Sequence, residues 1–333
     1  MNPSLTIFDV GHGSCVFIKD GNISTLLDCR DAPMLIEHLE SIGIDTINQI
    51  IVTHSDADHI GGIAAIVQSE YIKVNTIYVN PDSTKDTAKW QEFKIALQDA
   101  HENKGVKILA ASTSCTLSSI DLQIDILAPG VKWSLTAPGG KLPNGEKVTS
   151  NGMSVVVKIT HEGHPVALLC GDMEGESLSD ILSRGVDVRA DILLYPHHGG
   201  YVSTGNTTKR ESDLDAFSVG LLSKVQPRLV MFSIGRGMHS TPRPIVIQRI
   251  REANSNCAIC CTQLSMHCCS DALPQGPSHL KNLPSKGRES DRCCAGSIEI
   301  EIAGSRTFDL LDLSTHSLFV DSFGDKPLCR QAN

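Results

Sequence analysis

The chain has 333 residues, 41% of them hydrophobic and 20% charged, and a formal charge of −9. That length can bury a large core as one big domain or two modest ones. The negative balance argues against a broad electrostatic grip on nucleic acid, although bound cations invert the local field and keep a phosphoester substrate open. No run approaches the ~18 apolar residues of a membrane span. The start MNPSLTIFDVGHG lacks a basic segment followed by an apolar run, so no membrane association and a cytoplasmic location are expected.

In chain order, LTIFDV and CVFIK read as strands joined by the turn GHGS, with STLLDC as a third. A helix is expected over Pro33–Ile42, stopped by Gly43. INQIIVT is a buried-strand run that ends in THSDADHIGG, and GGIAAIVQS opens the next helix. VNTIYVN precedes a polar helix around Lys85–Asn103. Strands LQIDILAP, MSVVVKIT and VALLCGD follow, the last two joined by the hairpin turn HEGHP. ADILLYP runs into HHGGYVSTG, and a helix over Asp213–Lys224 precedes the strand RLVMFSIG. The helix PIVIQRIREA leads to a Cys-rich region, and SIEIEI and TFDLLDL read as the last strands. Paired strands with helices between the pairs predict helices packed outside two sheets. One domain is expected over residues 1–333, with a Cys-rich insertion at about 257–294 and an extension over 304–333. Ser270–Arg292, with its Pro, Gly, Ser and Lys, reads as a flexible loop.

Metal-type donors arrive at strand ends. IIVT delivers His54, Asp56, Asp58 and His59; VALLCG delivers Asp172; ADILLYP delivers His197 and His198; RLVMFSIGRGM leads to His239. Loops at strand ends are where rigid scaffolds hold reactive groups. Taken alone, HSDADH also fits a solvated, capped helix start. Four arrivals from distant parts of the chain favour a metal site instead. Imidazole with carboxylate suits zinc, manganese or iron, and two neighbouring metals need roughly seven or eight donors including a bridge.

THSDADHIGG resembles the His-x-His-x-Asp-His signature of the metallo-β-lactamase-fold hydrolases. FDVGHGSCVFI…LLDC, NGMS, LLCGDME, PHHGG and GRGMHSTP follow in the order of one branch, which includes the metallo-β-lactamase domain of ComEC-type competence proteins. The resemblance covers roughly residues 5–300 and implies an α/β fold, an αββα sandwich with the metal site at one edge. It makes His54 and Asp56 ligands of a first metal, Asp58 and His59 ligands of a second, Asp172 the bridge and His239 the late histidine of the second site. Two departures stand out. Asp56 occupies a position that is histidine in most of the superfamily, a change the ComEC-like branch shares. Asn151, in TSNGMS, stands where a third histidine would serve the first metal, and His197 or His198 could supply the missing nitrogen. Trading imidazoles for oxygens favours Mn²⁺ or a loosely held Zn²⁺ and leaves a one-metal enzyme open. His12, between the first two strands, is a candidate substrate or metal contact, and Asp28 a second-layer orienter. His161 and His164 read as surface histidines. The Gly61–Gly62 pair is expected to let the backbone pass close to the metals.

Of the twelve cysteines, seven crowd one region: Cys257, Cys260, Cys261, Cys268, Cys269, Cys293 and Cys294, with His267 among them. The segment reads as a strand pair interrupted by an insertion, its two ends side by side. A structural zinc held by Cys257, Cys260, Cys293 and Cys294 fits that reading, with free thiols and disulfides as alternatives.

The function these signals favour is metal-dependent hydrolysis of phosphodiester bonds, in a nucleic acid or a small diester, by a hydroxide generated on one or two Zn or Mn ions. Asp172 and Asp58 are the expected catalytic carboxylates, and His198 or Asn151 would meet developing charge. The alternative is a metal-stabilised interaction or regulatory subunit of a larger assembly. A protein partner would then dock on the Cys-rich insert or on the tail HSLFVDSFGDKPLCRQAN.

Overall fold

The chain's consecutive apolar pairs divide between different cores. Leu26 and Leu27, Ile50 and Ile51, Leu168 and Leu169, and Leu193 and Leu194 are buried, yet the two members of each pair pack in different apolar clusters. Successive side chains on a strand point to opposite faces, so such runs require sheets covered on both sides. The structure, a computed structural model, describes residues 2–141, 145, 147–202, 208–268, 278–324 and 327–330.

The first sheet contains β1 (Ser4–Ile7), β2 (Cys15–Asp20), β3 (Ile23–Cys29), β4 (Thr46–Ile51), β5 (Lys73–Val79) and β6 (Lys107–Ala110). The second contains β7 (Leu122–Ala128), β8 (Val156–His161), β9 (His164–Leu169), β10 (Ile192–Leu194), β11 (Leu229–Phe232) and β12 (Ala258–Cys261). The last strand, β13 (Ile298–Glu301), returns to the first sheet beside β1. The orders are β13-β1-β2-β3-β4-β5-β6 and β12-β11-β10-β9-β8-β7. Each sheet opens as an antiparallel meander and continues with parallel strands. Parallel neighbours need crossovers, and helices supply most of them.

On the first sheet lie α1 (Ala32–Ser41), α2 (Ala57–Ile60), α3 (Ile63–Gln68) and α4 (Ala88–Lys104). Asp31 caps α1, accepting from Met34 N at 3.3 Å, with Pro33 in the first turn. The short α5 (Val131–Thr136) follows β7, and α6 (Gly175–Ser183), α7 (Arg210–Val225) and α8 (Pro244–Ala253) cover the second sheet. Leu27, Ile51, Leu169, Leu194 and Met231 fill the space between the sheets. Leu35, Ile66 and Phe93 close the outside of the first sheet. Leu178, Leu221 and Val246 close the outside of the second. The result is the expected αββα sandwich. Among the described residues, no helix is long and apolar enough to cross a membrane.

Two expectations change. TFDLLDL contains a short helix, α9 (Thr307–Leu310), not a strand. Phe308, Leu311 and Leu313 pack against the inter-sheet core, which satisfies the segment's apolar residues without a further ladder. The Cys-rich segment is not a strand pair either, because β12 pairs with β11 and β13 with β1. Its two ends do meet, through a Gln263–Cys293 bridge and bonds from Cys294 N to Thr262 O at 3.0 Å and Ala295 N to Cys261 O at 2.8 Å. Cys269 and residues 270–277 of the expected loop lie outside the described residues, while 278–292 are described. The extension also carries α10 (Ser314–Asp321), whose Val320 joins the outer core of the second sheet.

Candidate metal centre

β4 ends at Ile51, and the chain continues buried through Thr53 and His54 before α2 presents Asp58 and His59. Asp56 sits at the cap position of α2 but makes no side-chain capping bond. Its Oδ1 instead takes Lys85 Nζ. The capped-helix reading of HSDADH therefore fails at its capping residue. β9 delivers Asp172. Beyond β10, a 3-10 turn over Pro196–Gly199 holds His197 and His198 at φ 51° and 54°. Non-glycine residues in this region cost on the order of 1 kcal/mol or more each and persist where the surroundings require them.

Asp172 is the hub. Its Oδ2 lies 3.7 Å from His54 Nε2 and 3.4 Å from His197 Nδ1. Its Oδ1 lies 3.4 Å from His59 Nε2 and 3.8 Å from His198 Nε2. Asp56 Oδ2 joins the first side, 3.7 Å from His54 Nε2. Asp58 Oδ2 joins the second, 3.3 Å from His198 Nε2, 3.7 Å from His12 Nε2 and 3.9 Å from His59 Nε2. Two triads, His54–His59–Asp172 and His12–Asp58–His198, have ligand atoms within 4.8 Å of one another.

The chemistry of these atoms tests whether divalent ions fit. His54 Nε2, His59 Nε2, His198 Nε2 and Asp172 Oδ1 are buried without a hydrogen-bond partner. Leaving so many inward-facing polar atoms unsatisfied is costly, and mixed nitrogen and oxygen donors suit a zinc- or manganese-type ion. The remote ring nitrogens of His59, His198 and His54 are held in place, whereas His197 Nε2 is buried without a partner. His59 Nδ1 donates to Asp28 Oδ2 at 2.6 Å, and Asp28 also accepts from Thr53 N and Thr53 Oγ1, each at 2.8 Å. His198 Nδ1 donates to Ser233 O at 2.6 Å. His54 Nδ1 lies 3.1 Å from Thr53 Oγ1 and 3.2 Å from Ser154 Oγ. Such partners aim the ligating nitrogen inward.

The carboxylates are ionised as cation binding requires, whereas His59 would have to release a proton to bind an ion. Burial opposes charge on Asp172, but His197, His59 and His54 outweigh it and hold the carboxyl well below its ordinary range. Burial likewise raises Asp58, and His198 and His59 more than reverse it. For Asp56, burial is outweighed by His54 and Lys85, which bring it down to about 2. Burial, reinforced by His198, lowers His12 to about 3, and burial also lowers His197. His59 is pushed up despite its burial, by Asp28 and Asp172.

His239 is exposed and belongs to neither triad; its ring centroid stands 4.5 Å from that of His12. The Asn151 segment reaches the centre through Ser154, whose Oγ accepts from Asp172 N at 2.9 Å. His161 and His164 flank the hairpin at the far end of β9 from Asp172, and His164 Nε2 is 2.9 Å from Asp191 Oδ2. The Gly61–Gly62 pair serves a different approach. A Cβ on Gly61 would stand 2.6 Å from Ala57 O, and one on Gly62 2.7 Å from Ala32 N, so the pair seats α2 and α3 against the start of α1. Lys85 lies outside every motif, and Ser154, although part of NGMS, is not a metal-type donor, so neither stood out in the sequence.

The four cysteines named for zinc are not brought together. Cys293 Sγ donates to Asp9 Oδ2 at 3.4 Å, while Cys260 Sγ and Cys294 Sγ lie 3.6 and 3.3 Å from opposite nitrogens of His316. Cys257 packs in the outer core of the second sheet, and its thiol is pushed up to about 11 by burial. Neither metal-competent triad among the described residues contains a cysteine.

The donors open onto a cleft of about 830 Å³, whose lining includes Arg30, Lys89, Tyr201 and Arg243. The profile of the metallo-beta-lactamase superfamily matches residues 8–216. ComE operon protein 3 of Bacillus subtilis (strain 168) is 26% identical over 219 residues, 66% of this chain and 24% of that protein, so the chain spans about a quarter of that relative's length. Among solved structures, the metallo-beta-lactamase fold protein YhfI from Bacillus subtilis is 13% identical with a TM-score of 0.49, covering 78% of this chain and 96% of that one. Zn²⁺-bound PqqB from Methylobacterium extorquens is 13% identical with a TM-score of 0.46, covering 77% and 97%. With a family match over residues 8–216, more than half its length, the chain belongs to the metallo-β-lactamase superfamily, most of whose members are metal-dependent hydrolases.

Proposed function

We propose that the protein is a two-metal hydrolase of phosphodiesters. One observation carries the reading: Asp172 divides its two oxygens between separate sets of imidazoles above a cleft lined by cations. His54, Asp56, His197 and Asp172 Oδ2 would hold one ion, and His59, Asp58, His198 and Asp172 Oδ1 the other. When bound, the two ions would supply Lewis acidity, sharpening a water into a nucleophile and drawing charge from a phosphoryl oxygen. Asp58 stays ionised at neutral pH and lies at the cleft, so it can orient the attacking water through an accepting oxygen. His12, neutral and beside Asp58, can donate toward a substrate oxygen. The cationic lining favours an anionic ester over a lactam or lactone.

The test pairs metal content by mass spectrometry with turnover of bis(p-nitrophenyl) phosphate and of a single-stranded oligonucleotide in Mn²⁺ and in Zn²⁺. Metal bound at about two ions per chain with cleavage of either diester is the expected result. Bound metal without any diester cleavage would overturn the phosphodiesterase reading.

A further inference from the structure

The chain is acidic overall, yet Arg30, Lys89 and Arg243 line the cleft that holds the metal-type donors. Their commitments differ. Lys89 Nζ is spent on Glu92 Oε2 at 2.7 Å along α4. Arg243 is tethered at one end: its Nη2 donates to Glu211 Oε1 at 3.1 Å and to Tyr201 Oη, and its guanidinium lies 4.4 Å over the Tyr201 ring. Its Nε is buried without a partner, as is the hydroxyl of the neighbouring Thr241 on the same wall. Arg30 is exposed, and its guanidinium has no hydrogen-bond or ion-pair partner among the described residues.

Arg30 is also steered. It follows β3, its backbone N donating to Ser14 O at 3.1 Å, and its stem crosses Gly13. A Cβ on Gly13, at φ +143°, would stand 2.6 Å from Arg30 Cδ and 2.4 Å from Asp58 O. Glycine there leaves the channel along which the arginine runs beside Asp58. Arg30 belongs to the first half of the sandwich and Arg243, at the start of α8, to the second.

Charge balance shows what two such arginines would meet. Two divalent ions bring four positive charges against the three carboxylates Asp56, Asp58 and Asp172, which suffices for the single negative charge of one diester. Arg30 adds a charge beyond that need, Arg243 is paired with Glu211 but keeps an unpartnered Nε, and the two guanidinium groups, one from each wall, match phosphate oxygens in geometry. We propose that Arg30 and Arg243 are positioning residues for the phosphates flanking the bond to be cut, so that the cleft selects an oligonucleotide-like chain over an isolated diester. This proposal rests on the phosphodiesterase reading above.

The experiment compares dithymidine TpT with pTpTp, which adds a phosphate on each side of the same linkage. Cleavage is measured on both. Equilibrium binding to the metal-loaded protein is measured by calorimetry with analogues whose bridging 3′ oxygen is a methylene. Wild type is expected to bind the pTpTp analogue at least about tenfold more tightly than the TpT analogue, with a steeper salt dependence. Arg30→Ala and Arg243→Gln should each reduce that ratio by about threefold to tenfold, and Arg30→Lys should restore part of it. Arg30 is exposed, so its removal carries little folding risk. A wild-type ratio near one, or variants that weaken both analogues equally, overturns the proposal. If neither diester is cleaved while the binding ratio persists and falls in the variants, the phosphodiesterase reading fails and the phosphate-positioning role stands.

Discussion

Asp172 Oδ2 faces His54 and His197, whereas Oδ1 faces His59 and His198. A carboxylate that divides its oxygens in this way would hold a cation on each side if two were bound. Asp172→Ala should therefore lower metal content at both sites and reduce diester turnover by at least about a thousandfold. Asp58→Ala should cost about one ion per chain, because His54, Asp56 and His197 keep their own set. Mass-spectrometric ion counting with turnover separates the two; equal losses in both variants would contradict the divided bridge. Asp28 acts through His59 rather than on an ion. Asp28→Asn is expected to weaken metal affinity by about 10- to 100-fold, read by chelator competition. The candidate donors of this centre were legible in the sequence because each follows a strand, although His239, read with them, stands outside both triads. Of their supports, Asp28 was legible at the end of its strand, and two others were not. Ser154 touches His54 across 100 positions, and Lys85 reaches Asp56 across 29, from segments with no metal-type spacing.

At the scale of elements, the turn after β1 carries His12 and is held by Asp9, which is fully buried. Asp9 Oδ1 accepts from Gly11 N at 3.1 Å and Gln263 Nε2 at 2.9 Å, and Oδ2 from Gly287 N at 2.8 Å and Cys293 Sγ at 3.4 Å. One carboxylate thus joins the His12 turn to both ends of the Cys-rich insertion. Asp9→Ala would strand these donors and is expected to destabilise the fold by about 3 kcal/mol, seen as a lower urea midpoint. Loosening the turn should also lower occupancy of the ion beside His12 and Asp58. Most strands and the helices α1, α4, α7 and α8 were readable from their apolar spacing. The mistaken strand in TFDLLDL and the missed α10 share a cause. Both segments are short and settle by packing on cores built earlier in the chain, and periodicity cannot register such late contacts.

Over the whole molecule, the first half of the sandwich supplies His12, His54, Asp56, Asp58 and His59, and the second supplies Asp172, His197 and His198. The C-terminal segment packs on the outer core of the second half through Val320 and Leu328. α10 places His316 between Cys260 Sγ and Cys294 Sγ, with His279, Asp321 and Arg330 the charged or titratable groups around it. Burial, followed by His279 and Arg330, lowers His316 from 6.5 to about 4. In the unfolded chain it would titrate near ~6.5. Between those values the unfolded state binds more protons, so stability rises with pH through that window and is lost as pH falls. The contribution is fully present above pH ~6.5 and is on the order of 3 kcal/mol. Metal-free protein, in which ligand protonation no longer releases an ion, is the form to melt. Its midpoint should fall between pH 7 and pH 4.5, and His316→Gln should flatten that decline while leaving metal content at neutral pH intact. An equally steep decline in the variant would mean that His316 does not couple the tail's docking to acid.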